Sequence, residues 1–285
     1  MPEGHVTHRL AGELTAAFAG SVVRVSSPQG RFAEAAALLD GQVLTGAEAY
    51  GKNLFIGFGS DVNTELLVHV HLGLIGKLRL GPAVPVAAGD TLRLRIDNGE
   101  QAAELRGPQT CALITPAEQA GVTAALGPDP LRSDAAMASS WARVSRSDRA
   151  VASLLMDQRV CAGVGNIYRC EVLFRQRLHP LTPGREVTRR RWNRIWTDLT
   201  TLMPLGVRDG RIDTVLPEHG PDATGRAPRV DRHGGEVYVY RRAGQPCLVC
   251  DRLVSVQDFE ARHLLSLIHI SEPTRRTPIS YAVFC

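Results

Sequence analysis

Apolar residues recur at helical spacing from the start of the chain. Val6, Leu10, Leu14 and Ala17/Phe18 fall on one face of a helix over residues 5–18 that ends at Gly20. Beyond it the period shortens to two. Alternating or β-branched runs occur at 21–25, 42–47, 54–58, 66–72, 77–80 and 92–96, the last followed by the hairpin signal Asn98-Gly99. These runs predict a β-sandwich behind a leading α-helix. Gly127-Pro128-Asp129-Pro130 then reads as a linker. After it the helical period returns over 137–141, 150–156, 166–174 and 188–203, and a terminal hairpin is expected to pair 237–240 with 253–256 around Cys247 and Cys250. The fold class is thus α+β and multidomain. A β-sandwich domain spans 1–127, a helical domain 128–235 and a hairpin unit 236–264.

Composition narrows this picture. The 285 residues exceed one typical domain, and 44% hydrophobic content suffices for ordinary cores. The formal charge of +4 hints at a polyanionic partner, a hint sharpened by Arg185 and by Arg189-Arg190-Arg191 with Trp192 and Arg194. A solvated helix face accounts for that run equally well. No apolar stretch reaches membrane length and the start is not a signal peptide, so a cytoplasmic protein is expected. Six scattered cysteines do not form a secreted disulfide framework; the pair Cys247 and Cys250 suggests reduced thiols and a metal.

The candidate chemistry sits at the head of the first helix. With Met1 removed, Pro2 presents a secondary amine, and an α-amino group titrates near pH 8, about two units below lysine. Such an amine can attack an electrophilic sugar carbon and form an iminium, with Glu3 as proton donor and acceptor. The same residues also fit a cleavable start followed by a helix first-turn acid. Further along, Met156-Asp157-Gln158 precedes Gly163-Val164-Gly165-Asn166-Ile167-Tyr168. Glycines before a helix let backbone amides approach an anion, and Asn166 adds a side-chain donor, a way to grip a duplex backbone without reading sequence. A plain glycine-rich turn between packed helices has the same pattern.

These motifs, in this order and through about Leu264, resemble the bacterial formamidopyrimidine-DNA glycosylase and endonuclease VIII family, with 163–168 matching its helix-two-turn-helix element. The resemblance implies a bifunctional DNA glycosylase and AP lyase of base-excision repair, acting by β,δ-elimination as a monomer on duplex DNA carrying oxidised bases or abasic sites. Pro2 would be the Schiff-base nucleophile and Glu3 the general acid/base. Lys52 matches the catalytic hairpin lysine that contacts phosphate and assists proton transfer. Gly165 and Asn166 would hold the backbone, Leu74 would fill the gap left by a flipped nucleotide, Arg106 would face the opposite strand, and Arg262 would clasp phosphate beside the lesion. The start Pro-Glu-Gly-His resembles the endonuclease VIII branch, which implies oxidised pyrimidines. An oxidised-purine enzyme and a non-catalytic DNA-binding module remain alternatives.

Two departures stand out. The phosphate-binding lysine expected shortly before Met156 is Ala152. The family's four-cysteine zinc hairpin has its first pair as Cys247 and Cys250, whereas Leu267 and Ile270 occupy the places of the second. The segment 266–275 resembles translated sequencing-adapter DNA, so 265–285 is expected to be a non-native tail. His263 and His269 complete a C-x2-C-x12-H-x5-H pattern, but the apolar positions between its pairs are not filled. With two thiolates, zinc lacks half its ligands, and the hairpin is expected to hold Arg262 poorly.

Overall fold

The leading helix is α1 (Gly4–Phe18), and it buries His5, Leu10, Leu14 and Phe18 on one face, as its apolar period requires. A computed structural model describes the protein at residues 2–59, 66–85, 91–231 and 235–267. α1 packs on the edge of a β-sandwich on one side and on the last long helix on the other. The sandwich contains β1 (Arg24–Ser26), β2 (Leu44–Tyr50), β3 (Asn53–Phe58), β4 (Leu66–His71), β5 (Lys77–Pro82), β6 (Leu92–Asp97), β7 (Gln101–Arg106) and β8 (Thr110–Ile114). One sheet has the order β1-β6-β7-β5 and the other β2-β3-β4-β8, with neighbouring strands antiparallel. Between them lies a core that includes Leu44, Leu54, Ile56, Val68, Leu94 and Leu105.

Four elements of this half lie outside the strands and helix read from the sequence. β7, with Gln101-Ala102-Ala103-Glu104, has weak strand propensity, and it is set by pairing on both sides with β6 and β5. β8 follows it and pairs with β4. α2 (Ala33–Leu39) is a short alanine-rich turn of helix. α3 (Pro116–Ala124) begins with a capping box, in which Glu118 N donates to Thr115 Oγ1 and Thr115 N donates to the Glu118 carboxylate; the Thr-Pro-Ala-Glu signature was legible in the sequence.

The Gly-Pro-Asp-Pro segment is a buried seam. Asp129 is fully buried, and its carboxylate accepts from Gly51 N at 2.7 Å and Leu131 N at 2.9 Å and lies 2.7 Å from His8 Nε2. One side chain thereby ties α1, the turn between β2 and β3, and the start of the helical half. That half contains α4 (Met137–Val144), α5 (Val151–Met156), α6 (Asn166–Arg175), α7 (Arg189–Asp209) and α8 (Pro221–Thr224). α7 runs past the expected stop at Met203: Pro204 lies inside it, and it ends at the left-handed Gly210. Trp192, Ile195, Leu199 and Met203 of α7 pack with Tyr168 and Leu173 of α6 in the second core.

The terminal hairpin differs most from its expected form. Residues 237–240 are not a strand. The amides of Tyr238, Val239 and Tyr240 all donate to the buried carboxylate of Glu171 on α6, at 2.8 to 2.9 Å. The hairpin that does form pairs β9 (Ser255–Phe259) with β10 (Arg262–Ser266). It is well anchored even without the second cysteine pair, because Leu264, Leu265 and Leu267 are buried in the helical core. The expected boundary at 264 therefore falls inside a strand; residues 268–285, including His269 and Ile270, lie outside the described residues.

Stability in acid is expected to fall on a network in the first sheet. Burial raises the Asp97 carboxyl, but hydrogen bonds from Arg95 and Arg24 outweigh it and bring its pKa from 3.8 to about 2. The native value lies below the unfolded one, so the stabilisation is complete above pH 4 and is lost as pH falls toward 2. Asp97→Asn should cost about 2 kcal/mol at neutral pH and converge with the parent near pH 2, as read by denaturant unfolding at each pH.

Candidate active site

Glu3 is the residue just before α1, in extended conformation, yet its side chain caps a different helix. Its Oε1 accepts from Ile167 N at 2.7 Å, and its Oε2 from Gly165 N at 2.9 Å and Tyr168 N at 3.4 Å. These are amides of the first turn of α6, where the helix dipole favours a negative charge. A β-carbon on Gly165 would stand 2.3 Å from Glu3 Cδ, so only glycine admits the carboxylate here. Nearby, Gly4 N donates to Gly163 O at 2.8 Å, and Gly51 approaches the same loop, where an added β-carbon would lie 3.0 Å from Gly163 N. Gln158 shapes the loop from below, accepting from Gly163 N and donating to Val164 O, both at 2.9 Å.

Three sequence-distant segments thus converge: the chain start, the turn carrying Lys52, and the head of α6. Burial pushes the Glu3 carboxyl above the usual carboxylate range, opposed by Lys52 and by the three amides. Burial pushes the Lys52 ammonium down, Glu3 pulls it back up, and the positive charges of Arg262 and Arg169 lower it further. A carboxyl that resists ionising beside an amine that resists protonating is suited to proton transfer at neutral pH.

Asn166 is almost completely buried. Its Nδ2 donates to His263 O at 3.0 Å and its Oδ1 accepts from Arg169 Nη2, so it bridges α6 to β10. A cleft of about 580 Å³ opens beside it, lined by Leu74, Asn166, Tyr240, Arg241, Arg262 and His263 among others. Leu74 is 58% exposed and Ile75 78% at the turn between β4 and β5, which makes Leu74 a surface projection rather than a core strand leucine. Arg106 is not brought to the cleft. It ends β7 and pairs with Glu104 at 2.6 Å. Ala152 is fully buried in the helical core and has no means of holding phosphate.

Some site groups escaped the sequence reading. His71 ends β4 opposite Asn53, close enough to Lys52 to feel its charge, and burial lowers its imidazole. His5 and Tyr168 meet edge-on at 5.5 Å, and His5 Nδ1 and Tyr168 Oη are buried without a hydrogen-bond partner among the described residues. Burial brings His5 down to about 4, so it is neutral at pH 7. The one available signal was His5 two residues after Glu3, on the buried face of α1.

Among the described residues, the zinc that the family resemblance implies at the hairpin finds too few donors. Cys247 and Cys250 lie on one turn, and Val249 N approaches Cys247 Sγ at 3.4 Å. Among the described residues, no third cysteine, histidine or carboxylate joins them, and His263 turns instead to Asp258 at 3.0 Å. A closed tetrahedral site needs four ligands, so these residues do not fit the metal.

Comparison with known proteins bears on the same segments. The formamidopyrimidine-DNA glycosylase N-terminal domain matches residues 1–109, and the formamidopyrimidine-DNA glycosylase H2TH domain matches 126–216. Endonuclease 8 1 of Mycobacterium tuberculosis is 46% identical over 270 residues, covering 93% of this chain and 97% of that protein. Formamidopyrimidine-DNA glycosylase of Methylococcus capsulatus is 32% identical over 260 residues, covering 88% and 91%. In fold, the MutM (Fpg) protein of Thermus thermophilus superposes with TM-score 0.73 at 24% identity, covering 95% of this chain and 98% of that one. Lactococcus lactis Fpg in complex with N7-benzyl-Fapy-dG DNA gives TM-score 0.77 at 18% identity, covering 95% and 100%. With 46% identity to one relative along nearly the whole of both chains, the protein belongs to the formamidopyrimidine-DNA glycosylase and endonuclease VIII family.

Proposed function

We propose that this chain removes oxidised pyrimidines from duplex DNA through an iminium at Pro2 and then cuts the strand by β,δ-elimination. As a family member it is a DNA glycosylase and AP lyase of base-excision repair. The observation that carries the finer reading is the Glu3 carboxyl, seated on the first turn of α6 beside Lys52 and immediately after Pro2. With Met1 removed, the Pro2 lone pair attacks the deoxyribose C1′, the bond to the damaged base breaks, and the base leaves with a proton. Glu3 supplies and recovers protons at the sugar, and Lys52 contacts phosphate and assists that proton transfer. The C1′–O4′ bond then opens as Glu3 protonates O4′, which leaves the iminium on Pro2. This acidifies C2′, loss of the C2′ proton expels the 3′ phosphate, a second elimination expels the 5′ phosphate, and water releases the sugar remnant from Pro2.

Arg262 and Asn166 on the cleft wall are read as backbone contacts, with Gly165 admitting Glu3 and Leu74 as the group that replaces a flipped nucleotide. Arg106 is assigned to the opposite strand with support from sequence alone. The pyrimidine preference is supported by the higher identity to Endonuclease 8 1, 46% against 32% for the glycosylase of Methylococcus capsulatus. The protein is read as a monomer of the bacterial cytoplasm, associated with the nucleoid. No described helix is long and apolar enough to cross a membrane.

Borohydride should trap the protein on abasic duplex, with mass spectrometry mapping the adduct to Pro2. An adduct on a lysine, or undiminished trapping by Pro2→Gly with a blocked terminus, would overturn the assignment. The same assay on duplexes with one lesion each tests the pyrimidine preference. Gly165→Ala should reduce lyase turnover at least about a hundredfold, because the new methyl displaces Glu3; the loss should appear in single-turnover rates more than in duplex affinity. Asn166→Ala should weaken binding to damaged and undamaged duplex alike, whereas Arg262→Ala should cut activity on the lesion more steeply. A change in lesion choice with unaltered binding to undamaged duplex would refute the backbone role of Asn166.

A further inference from the structure

The turn of the β9–β10 hairpin is built from residues that do not favour it. Glu260 and Ala261 join the strands with φ of 49° and 57°, the doubly left-handed conformation that two-residue hairpins ordinarily give to Asn-Gly or Gly-Gly. Something other than local preference holds them there. The Glu260 carboxylate accepts a hydrogen bond of 2.6 Å from Ser153 Oγ, and Ser153 is buried on α5. Arg262 is the next residue but one, paired with Phe259 as the first rung of the ladder. A short hydrogen bond to a carboxylate therefore ties the helical domain to the turn from which the Arg262 strand starts. Among the described residues the hairpin has no four-ligand metal site, and this hydrogen bond holds the turn, at the opposite end of the hairpin from Cys247 and Cys250.

We propose that Glu260 is a positioning residue, whose carboxylate, held by Ser153, sets the hairpin turn and through it the place of Arg262. The proposal rests on the reading of Arg262 as a DNA contact. Four variants of the full chain test it, with Met1 removed: Ser153→Ala, Glu260→Gly, Glu260→Gln and the double variant Ser153→Ala/Glu260→Gly. Each is measured for affinity to abasic duplex, for thermal stability, and for amide exchange at the paired residues Gln257 and Leu264. Glu260→Gly relieves the left-handed backbone yet removes the carboxylate, so it should melt no lower than the parent while binding duplex about tenfold more weakly. Ser153→Ala should lose as much, and the double variant no more than either. Glu260→Gln keeps an acceptor and should retain parent affinity. Exchange at Gln257 and Leu264 should quicken in Ser153→Ala and Glu260→Gly. Parent-like affinity and exchange in Glu260→Gly, or losses that add in the double variant, would overturn the proposal. Arg262→Ala separates the two claims. Parent-like affinity there overturns the role of Arg262 itself, while a loss there with unchanged Ser153→Ala and Glu260→Gly overturns only the link.

Discussion

The structure turns on one carboxylate that crosses from the chain start to a helix more than 160 residues away. Glu3 leaves its own helix uncapped and satisfies three amides at the head of α6. Taking a carboxylate out of water costs several kcal/mol, and each hydrogen bond to a charged group returns roughly 1.5 to 3. Burial still has the upper hand, since the carboxyl is raised despite three amides and Lys52. The balance leaves a group that is fixed in place yet able to take a proton. Architecture and chemistry meet in the same atoms: the bond that docks the first helix onto the helical domain also orients the acid next to Pro2.

Docking at this point demands small residues on both sides. Gly4, Gly51, Gly163 and Gly165 bring three backbones within reach of one another, and a methyl on Gly165 would collide with Glu3 itself. Asp129 reinforces the junction, holding Gly51 and approaching His8 from a segment whose composition read as a linker. A Pro/Gly-rich stretch marks sharp changes of direction and says nothing of exposure. Here the direction changes are used to bury an aspartate between two domains, so the halves are joined by a buried, hydrogen-bonded seam.

What was legible in the sequence was local. The period of α1, the strands with β-branched residues, and the segments of Pro2-Glu3, Lys52 and the glycine run that the structure brings together each lie in a few consecutive residues. What was not legible depends on partners far along the chain. β7 reads as a poor strand and is made one by neighbours on both sides. The stretch 237–240, with Val, Tyr, Val and Tyr, has every local mark of a strand, but its amides are claimed by Glu171 nearly 70 residues earlier. Asn166, read from the sequence only as a donor at the head of a helix, also gives one amide hydrogen to His263 O and its oxygen to Arg169, partners no local pattern announces. Propensity describes what a segment does when nothing else competes for its hydrogen bonds, and in each of these cases something does.

The hairpin shows the same competition resolved in favour of tertiary contact. Counting ligands led to the expectation of a loose finger, because metal supplies most of the folding energy of a small hairpin standing alone. This hairpin does not stand alone. Burying a leucine contributes roughly 1.5 to 3 kcal/mol, and Leu264, Leu265 and Leu267 all enter the helical core. Asn166 grips its backbone, and Glu171 anchors the strap that leads to it. Arg262 is thereby held by the domain behind it, so its position depends on the packing of β10 against α6 and need not depend on what binds the cysteines.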